Sequence, residues 1–179
     1  NSEGGNNMKN LTSVTKHIDF DAAHVLPEGY NGKCRNLHGH TYKAYVTLTG
    51  PRDSSEFGMV VDFKLLKEAM KEVLPDHMFL CYVGDKKNLD YKEVADRYEN
   101  KVMLFEEPTT AEYMVHVFAE LIENYLHNEL NVSKKVQLTK MVLYETADSY
   151  ATVEKDYEEV EEENSNYEQL SLFDEKEVL

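Results

Sequence analysis

Polar and apolar residues alternate from Thr41 to Thr49, with Tyr42, Ala44, Val46 and Leu48 on one face and Thr41, Lys43, Tyr45, Thr47 and Thr49 on the other. A period of two marks a half-buried strand. Val14 to Ala23 alternates more loosely and predicts a strand before it. Gly50-Pro51-Arg52-Asp53-Ser54-Ser55 reads as a loop. The apolar run Met59-Val60-Val61 then ends at Asp62, a residue suited to cap a helix. Leu65, Leu66, Ala69, Met70, Val73 and Leu74 recur at helical spacing until Pro75 stops them. Phe79 to Glu107 has mixed charge and weak periodicity, and supports only a short helix near Asp90 to Asn100. Thr109 with Glu112 forms a capping box, opening a helix whose stripe is Met114, Phe118, Leu121, Ile122 and Tyr125. Val136 to Glu145 and Ser149 to Tyr157 predict two closing strands around Ala147-Asp148. Strand pairs at both ends with helices between them are α+β, not an alternating β-α-β chain.

Length and charge narrow the picture. At 179 residues the chain fits one domain with a real core. Residues 1–7 (NSEGGNN) precede Met8 and read as an expression remnant, which leaves residues 8–157 as the folded domain. From Glu158 to Leu179 nine acids face Lys176 alone, a net −8 of the chain's −15, so the remainder carries −7. That stretch cannot bury enough apolar surface to offset its ordering and reads as a flexible acidic tail, residues 158–179. The acidic balance excludes a bulk nucleic-acid binder. No apolar run reaches membrane-spanning length and no secretory signal is visible. With only two cysteines, Cys34 and Cys81, a cytoplasmic protein without a disulfide framework is the simplest reading.

The chemistry concentrates at His38-Gly39-His40, with Cys34 four residues ahead and His24 fourteen ahead of the first histidine. Residues two apart on a strand share a face, so His38 and His40 project together. If His24 lies on a neighbouring strand, three imidazoles converge with a fourth position open, the pattern of catalytic zinc. The alternative is three unrelated histidines, one of them a satisfied core residue. Lys33 and Arg35 flank Cys34 and would favour a thiolate, hence a nucleophile or base; the alternative is a small buried hydrophobe. Cys81, after Phe79-Leu80, reads as such a hydrophobe. Asp76-His77 follows Pro75 and could form an acid/base relay. Glu145 ends an apolar strand, where a carboxylate can accept two parallel N–H bonds from a pterin or guanine edge, or simply be solvated. His17, His116 and His127 lack such company.

These pieces, in this order, resemble the family of 6-pyruvoyltetrahydropterin and 6-carboxytetrahydropterin synthases. The resemblance runs from Thr15 to Val153. It rests on Phe20-Asp21-Ala22-Ala23-His24, Cys34-x-x-x-His38-Gly39-His40, Gly58-Met59-Val60-Val61-Asp62-Phe63, Asp76-His77, Pro108-Thr109-Thr110-Ala111-Glu112 and Tyr144-Glu145-Thr146. It implies a tunnelling fold of order β-β-α-α-β-β, with an antiparallel sheet assembling into a β-barrel, as a homohexamer with active sites between subunits. It also implies Zn2+ on His24, His38 and His40, Cys34 as general base, His77 with Asp76 as proton relay, and Glu145 with Thr110 as anchors of the pterin.

Spacing within the family separates two branches. The four-residue interval from Cys34 to His38 resembles the carboxytetrahydropterin branch of 7-deazaguanine (queuosine) biosynthesis. The implied enzyme is a lyase converting 7,8-dihydroneopterin triphosphate to 6-carboxy-5,6,7,8-tetrahydropterin, with release of acetaldehyde and triphosphate. Lys33, Arg35 and Lys16 are candidates to hold the triphosphate. The chain departs from the family pattern at Val25, where Arg is frequent, at Leu80-Cys81, where Leu-Asn is usual, and in the longer segment Val83 to Glu107. The competing readings are a pyruvoyltetrahydropterin synthase and a zinc- or pterin-binding protein without turnover. Separately, Gln169-Leu170-Ser171-Leu172-Phe173 resembles the peptide by which bacterial replication proteins dock on the sliding clamp, against the alternative of a few apolar residues in an acidic tail.

Overall fold

The computed structural model describes residues 10–52 and 56–160. Two long strands form its spine: β1 (Leu11–His24) and β2 (His38–Pro51), antiparallel from Leu11 opposite Pro51 to His24 opposite His38. Helix α1 (Phe63–Val73), β3 (Met78–Tyr82), α2 (Lys86–Arg97), β4 (Val102–Phe105), α3 (Ala111–Asn128), β5 (Gln137–Tyr144) and β6 (Tyr150–Glu154) follow. The sheet order is β4-β3-β1-β2-β5-β6.

The α+β class agrees with the sequence reading, but two parts of it need correction. The sheet is mixed rather than antiparallel, because β3 runs parallel to β1 and β4 parallel to β3. The order β-β-α-α-β-β also omits β3, α2 and β4, which occupy the segment of weak periodicity; of these only α2 matches an expected element, the short helix near Asp90 to Asn100, and it starts four residues earlier. Leu80 of β3 faces the core while Cys81 packs toward α2, both fully buried. A strand covered on both faces shows no alternation.

One face of the sheet carries the core. Tyr42, Ala44, Val46 and Leu48 are all fully buried on β2, as the alternation predicts. Leu66, Ala69 and Met70 of α1 and Met114, Phe118 and Ile122 of α3 close over them. Helix α2 packs against β3 and β4, and the Phe79 and Tyr91 rings meet on that side at 6.2 Å. No helix among the described residues is long and apolar enough to cross a membrane.

The helix caps were partly foreseen. Asp62 caps α1 by accepting the Lys64 N–H at 2.8 Å. Asp62→Ala should cost about 1 kcal/mol and lower the melting temperature by about 2–4 °C in a chain of this size; an unchanged melt would show that packing alone holds the helix start. The cap of α3 is Thr110, whose hydroxyl accepts the Tyr113 N–H at 3.4 Å, so the expected box at Thr109 is displaced by one residue. Glu158, the first residue of the expected tail, still exchanges two hydrogen bonds with the Gln137 side chain, at 2.7 and 2.9 Å. Residues 1–7 and Gln169-Phe173 lie outside the described residues.

Candidate active site and metal centre

Strand register builds the centre of the site. His24 stands opposite His38, and His40 opposite Ala22, so alternation turns all three imidazoles to the core face. Between the two histidines of β2, a side chain on Gly39 would lie 3.3 Å from the Ala22 carbonyl oxygen, close enough that only glycine fits without adjustment. The ring centroids are 4.6 Å (His24–His38), 4.8 Å (His38–His40) and 5.2 Å (His24–His40) apart, and one ligand atom from each lies within 4.8 Å of the others.

Hydrogen bonds on the far side of two rings fix their tautomers. His24 Nδ1 donates to the Thr109 carbonyl at 2.8 Å, and His38 Nδ1 to the Asn36 carbonyl at 2.7 Å. A carbonyl can only accept, so each Nδ1 carries the proton and each Nε2 presents a lone pair. Those two Nε2 atoms face each other at 3.1 Å. Neutral lone pairs at that distance repel unless a cation lies between them. Tetrahedral zinc–nitrogen bonds of 2.0–2.1 Å would separate two ligands by about 3.3 Å, close to this spacing. The third donor, His40 Nε2, is buried without a hydrogen-bond partner.

Burial also favours the unprotonated form that binds metals. It pushes His24 down to about 4, with the neighbouring His38 and His40 adding to the shift and the Thr109 bond opposing it. His40 is lowered by burial and then by His38. The trio therefore meets the requirement for a three-nitrogen site with an open position, which suits a divalent transition metal.

Cys34 sits on a single 3-10 turn, Lys33–Arg35, in the loop between β1 and β2, and is half-buried. With His24, Tyr30, Thr110, Glu112 and Glu145 it lines a cavity of about 360 Å³. Glu145 reaches to 3.8 Å from His40 Nε2. Burial raises its carboxyl above the usual range, and the negative charge of Glu112 adds to this. Thr110 spends its oxygen on capping α3 and keeps its O–H able to donate.

Asp76 and His77 lie elsewhere. Asp76 Oδ1 accepts the Asp21 N–H at 2.9 Å, and the His77 N–H donates to the Asp21 carbonyl at 2.6 Å. Asp21 alternates with the core-facing Phe20 and Ala22, so this pair belongs to the opposite face of the sheet. The His77 ring meets Asp76 at 3.0 Å, with the two side chains 78% and 57% exposed. The Asp21 N–H holds the Asp76 carboxyl below its usual range, assisted by His77. His77 takes a left-handed backbone (φ 57°), uncommon outside glycine and shared among the described residues with Glu99 and Asn131. It borders a larger cavity, about 610 Å³, lined by Asp21, Gly39, His40, Thr41 and Tyr91.

One chain thus gathers His24, His38, His40, Cys34, Thr110 and Glu145 on one side of the sheet and sets Asp76-His77 on the other, beside a cavity that His40 also lines. Lys33 and Arg35 flank the thiol, whereas Lys16 lies eight residues back along β1 from His24, about 26 Å away at strand rise. Three contributors escaped the sequence reading. Thr109 and Asn36 act through backbone carbonyls, which no side-chain pattern reveals. Tyr42, read as a core residue, brings its ring to 5.4 Å from His40 and leaves a buried hydroxyl without a partner.

Known proteins match this chain along most of its length. A family model for 6-pyruvoyl tetrahydropterin synthase matches residues 13–156. The chain is 31% identical over 145 residues to the 6-carboxy-5,6,7,8-tetrahydropterin synthase of Haemophilus influenzae, spanning 78% of this chain and 96% of that protein. It is 38% identical over 122 residues to the protein of the same name from Aquifex aeolicus, spanning 66% and 74%. Among solved structures, the 6-pyruvoyl tetrahydropterin synthase of Caenorhabditis elegans shares the fold, with a TM-score of 0.56 at 24% identity over 82% of this chain and 96% of that one.

Proposed function

From the premise that this chain belongs to the 6-pyruvoyl tetrahydropterin synthase family, we propose that it is a cytoplasmic zinc-dependent lyase of 7-deazaguanine (queuosine) biosynthesis. It converts 7,8-dihydroneopterin triphosphate and one water to 6-carboxy-5,6,7,8-tetrahydropterin, releasing acetaldehyde and triphosphate. The observation that carries this reading is the convergence of three imidazoles beside a cavity that also holds a thiol and a half-buried carboxylate. The names of the curated relatives support the carboxy product over the pyruvoyl one.

His24, His38 and His40 hold the metal, which when bound supplies Lewis acidity to the hydroxyl oxygens of the substrate side chain. Glu145 accepts the paired N–H groups of the pterin edge, and the Thr110 hydroxyl donates to it. This fixes the ring and aims its side chain at the trio. Cys34 Sγ, as thiolate, takes a proton from carbon. Lys33 and Arg35 face the triphosphate, giving an acidic protein the local positive charge that a polyanion requires. The opposing proton is handled by the His77 ring, oriented through Nδ1 by Asp76. Because that pair stands on the other face of the sheet, a second copy of the chain must bring its own Asp76-His77 to the site. A hexameric barrel with active sites between subunits satisfies this demand.

The test is direct. The purified protein, incubated with 7,8-dihydroneopterin triphosphate, should release acetaldehyde and triphosphate in equal amounts. Triphosphate with a pyruvoyl product and no acetaldehyde would move the chain to the other branch, and no turnover would leave a binding protein.

A further inference from the structure

The loop from Val25 to Leu37 carries Cys34 and has little structure of its own. Its longest internal tie is the Leu26 N–H to the Cys34 carbonyl at 3.0 Å. Three bonds reach it from the first turn of α2 and the cap before it. Asp85 Oδ1 accepts the Glu28 N–H at 2.9 Å, Asn88 Nδ2 donates to the Val25 carbonyl at 3.2 Å, and Lys87 Nζ donates to the Arg35 carbonyl at 2.9 Å. Val25 and Asn88 are fully buried and Asp85 is nearly so.

The anchoring side chains are themselves fixed. Asp85 Oδ2 accepts both the backbone N–H of Asn88 (3.0 Å) and its side-chain amide (2.8 Å). Asn88 Oδ1 accepts the Tyr82 N–H at 3.2 Å, which ties the pair to β3. Every donor and acceptor of the Asn88 amide is committed, the condition under which a buried polar network specifies one geometry. The network touches the Cys34 loop on both sides of the thiol: at Val25 and Glu28 before it, and at Arg35 immediately after it.

We propose that Asp85, Asn88 and Lys87 are positioning residues that hold the Cys34 thiol at its working distance from the metal trio, and that α2 serves the reaction in this way. This rests on the reading of Cys34 as the base. The residues that grip the pterin belong to other elements, Glu145 to the end of β5 and Thr110 to the start of α3, and the metal ligands belong to β1 and β2. Loosening the α2 anchor therefore acts on the thiol and on the Lys33 and Arg35 charges beside it, and leaves the pterin grip and the metal ligands in place. A small misplacement of a reacting group is enough to slow chemistry greatly.

Asp85→Asn keeps shape but turns one acceptor into a donor facing an N–H. It should lower kcat about ten-fold with full zinc content, a larger change than any rise in KM for 7,8-dihydroneopterin triphosphate, whose phosphates meet Lys33 and Arg35 on the same loop. Lys87→Met keeps the apolar stem and removes only the ammonium. It should lower kcat about three-fold, again by more than it raises KM. Wild-type kcat in both folded variants overturns the proposal, as does wild-type kcat in Lys87→Met where Asp85→Asn fails to fold. A loss confined to KM, or one that tracks lost metal, overturns it equally. Cys34→Ala, assayed in parallel, separates the two readings: if it retains full activity, the assignment of the base has failed, whereas an inactive Cys34→Ala beside unaffected α2 variants rejects only the positioning role.

Discussion

Cys34→Ala and His77→Ala proteins, each reduced about 10²- to 10⁴-fold in turnover, should recover activity when their subunits are allowed to exchange. The expectation follows from the placement of Cys34 in the cavity beside His24 and of His77 on the opposite sheet face. If the site takes its thiol from one copy and its imidazole from another, random mixing of equal amounts leaves roughly one quarter of the interfaces with both groups intact in a closed symmetric assembly. Turnover of the mixture should rise to about that fraction of wild type, far above either parent. Subunit exchange can be followed by mass, using a tag on one variant. Confirmed exchange with no gain in rate would mean that the two groups act within one chain, and the division of the site between copies would be wrong.

The second large effect concerns the metal. His40→Ala should purify with little or no zinc and lose turnover together with it. Removing an outer partner of a ligand already costs about 10- to 100-fold in affinity, and His40 is one of only three donors, buried with Nε2 unpartnered. The wild-type chain should also melt higher with zinc than after chelation, by about 2.7 kcal/mol of stability when the free ion exceeds its Kd 100-fold. His40→Ala should show no such difference. Metal analysis and a melting curve check this without an activity assay. A wild-type protein that carries no divalent ion and gains nothing from added zinc would reject the centre.

The sequence disclosed the parts of the fold whose burial is one-sided. β2 could be read from Tyr42, Ala44, Val46 and Leu48, because the core lies on one side of the strand only, and α1 and α3 carry single stripes for the same reason. The segment from β3 to β4 was opaque because Leu80 and Cys81 are adjacent and both buried, and because α2 buries the polar Asn88 while exposing Leu89 and Val94. Strand direction leaves no mark in hydrophobic pattern, so the parallel pairing of β3 with β1 was missed as well. Within the site, side chains were legible and backbone was not. His24, His38 and His40 declare themselves by residue type and spacing. The carbonyls of Thr109 and Asn36, which decide where those protons sit, are common to every residue type and leave no mark in the sequence.

His24 and His38 are also the last and first paired residues of the β1–β2 hairpin. An ion shared between them would act as a clasp at the mouth of that hairpin, where the thirteen-residue connection bearing Cys34 begins and ends. Filling the centre and stiffening the thiol's tether then become one event. Starvation for the ion would then slacken the hold on the base even in molecules whose remaining architecture is intact.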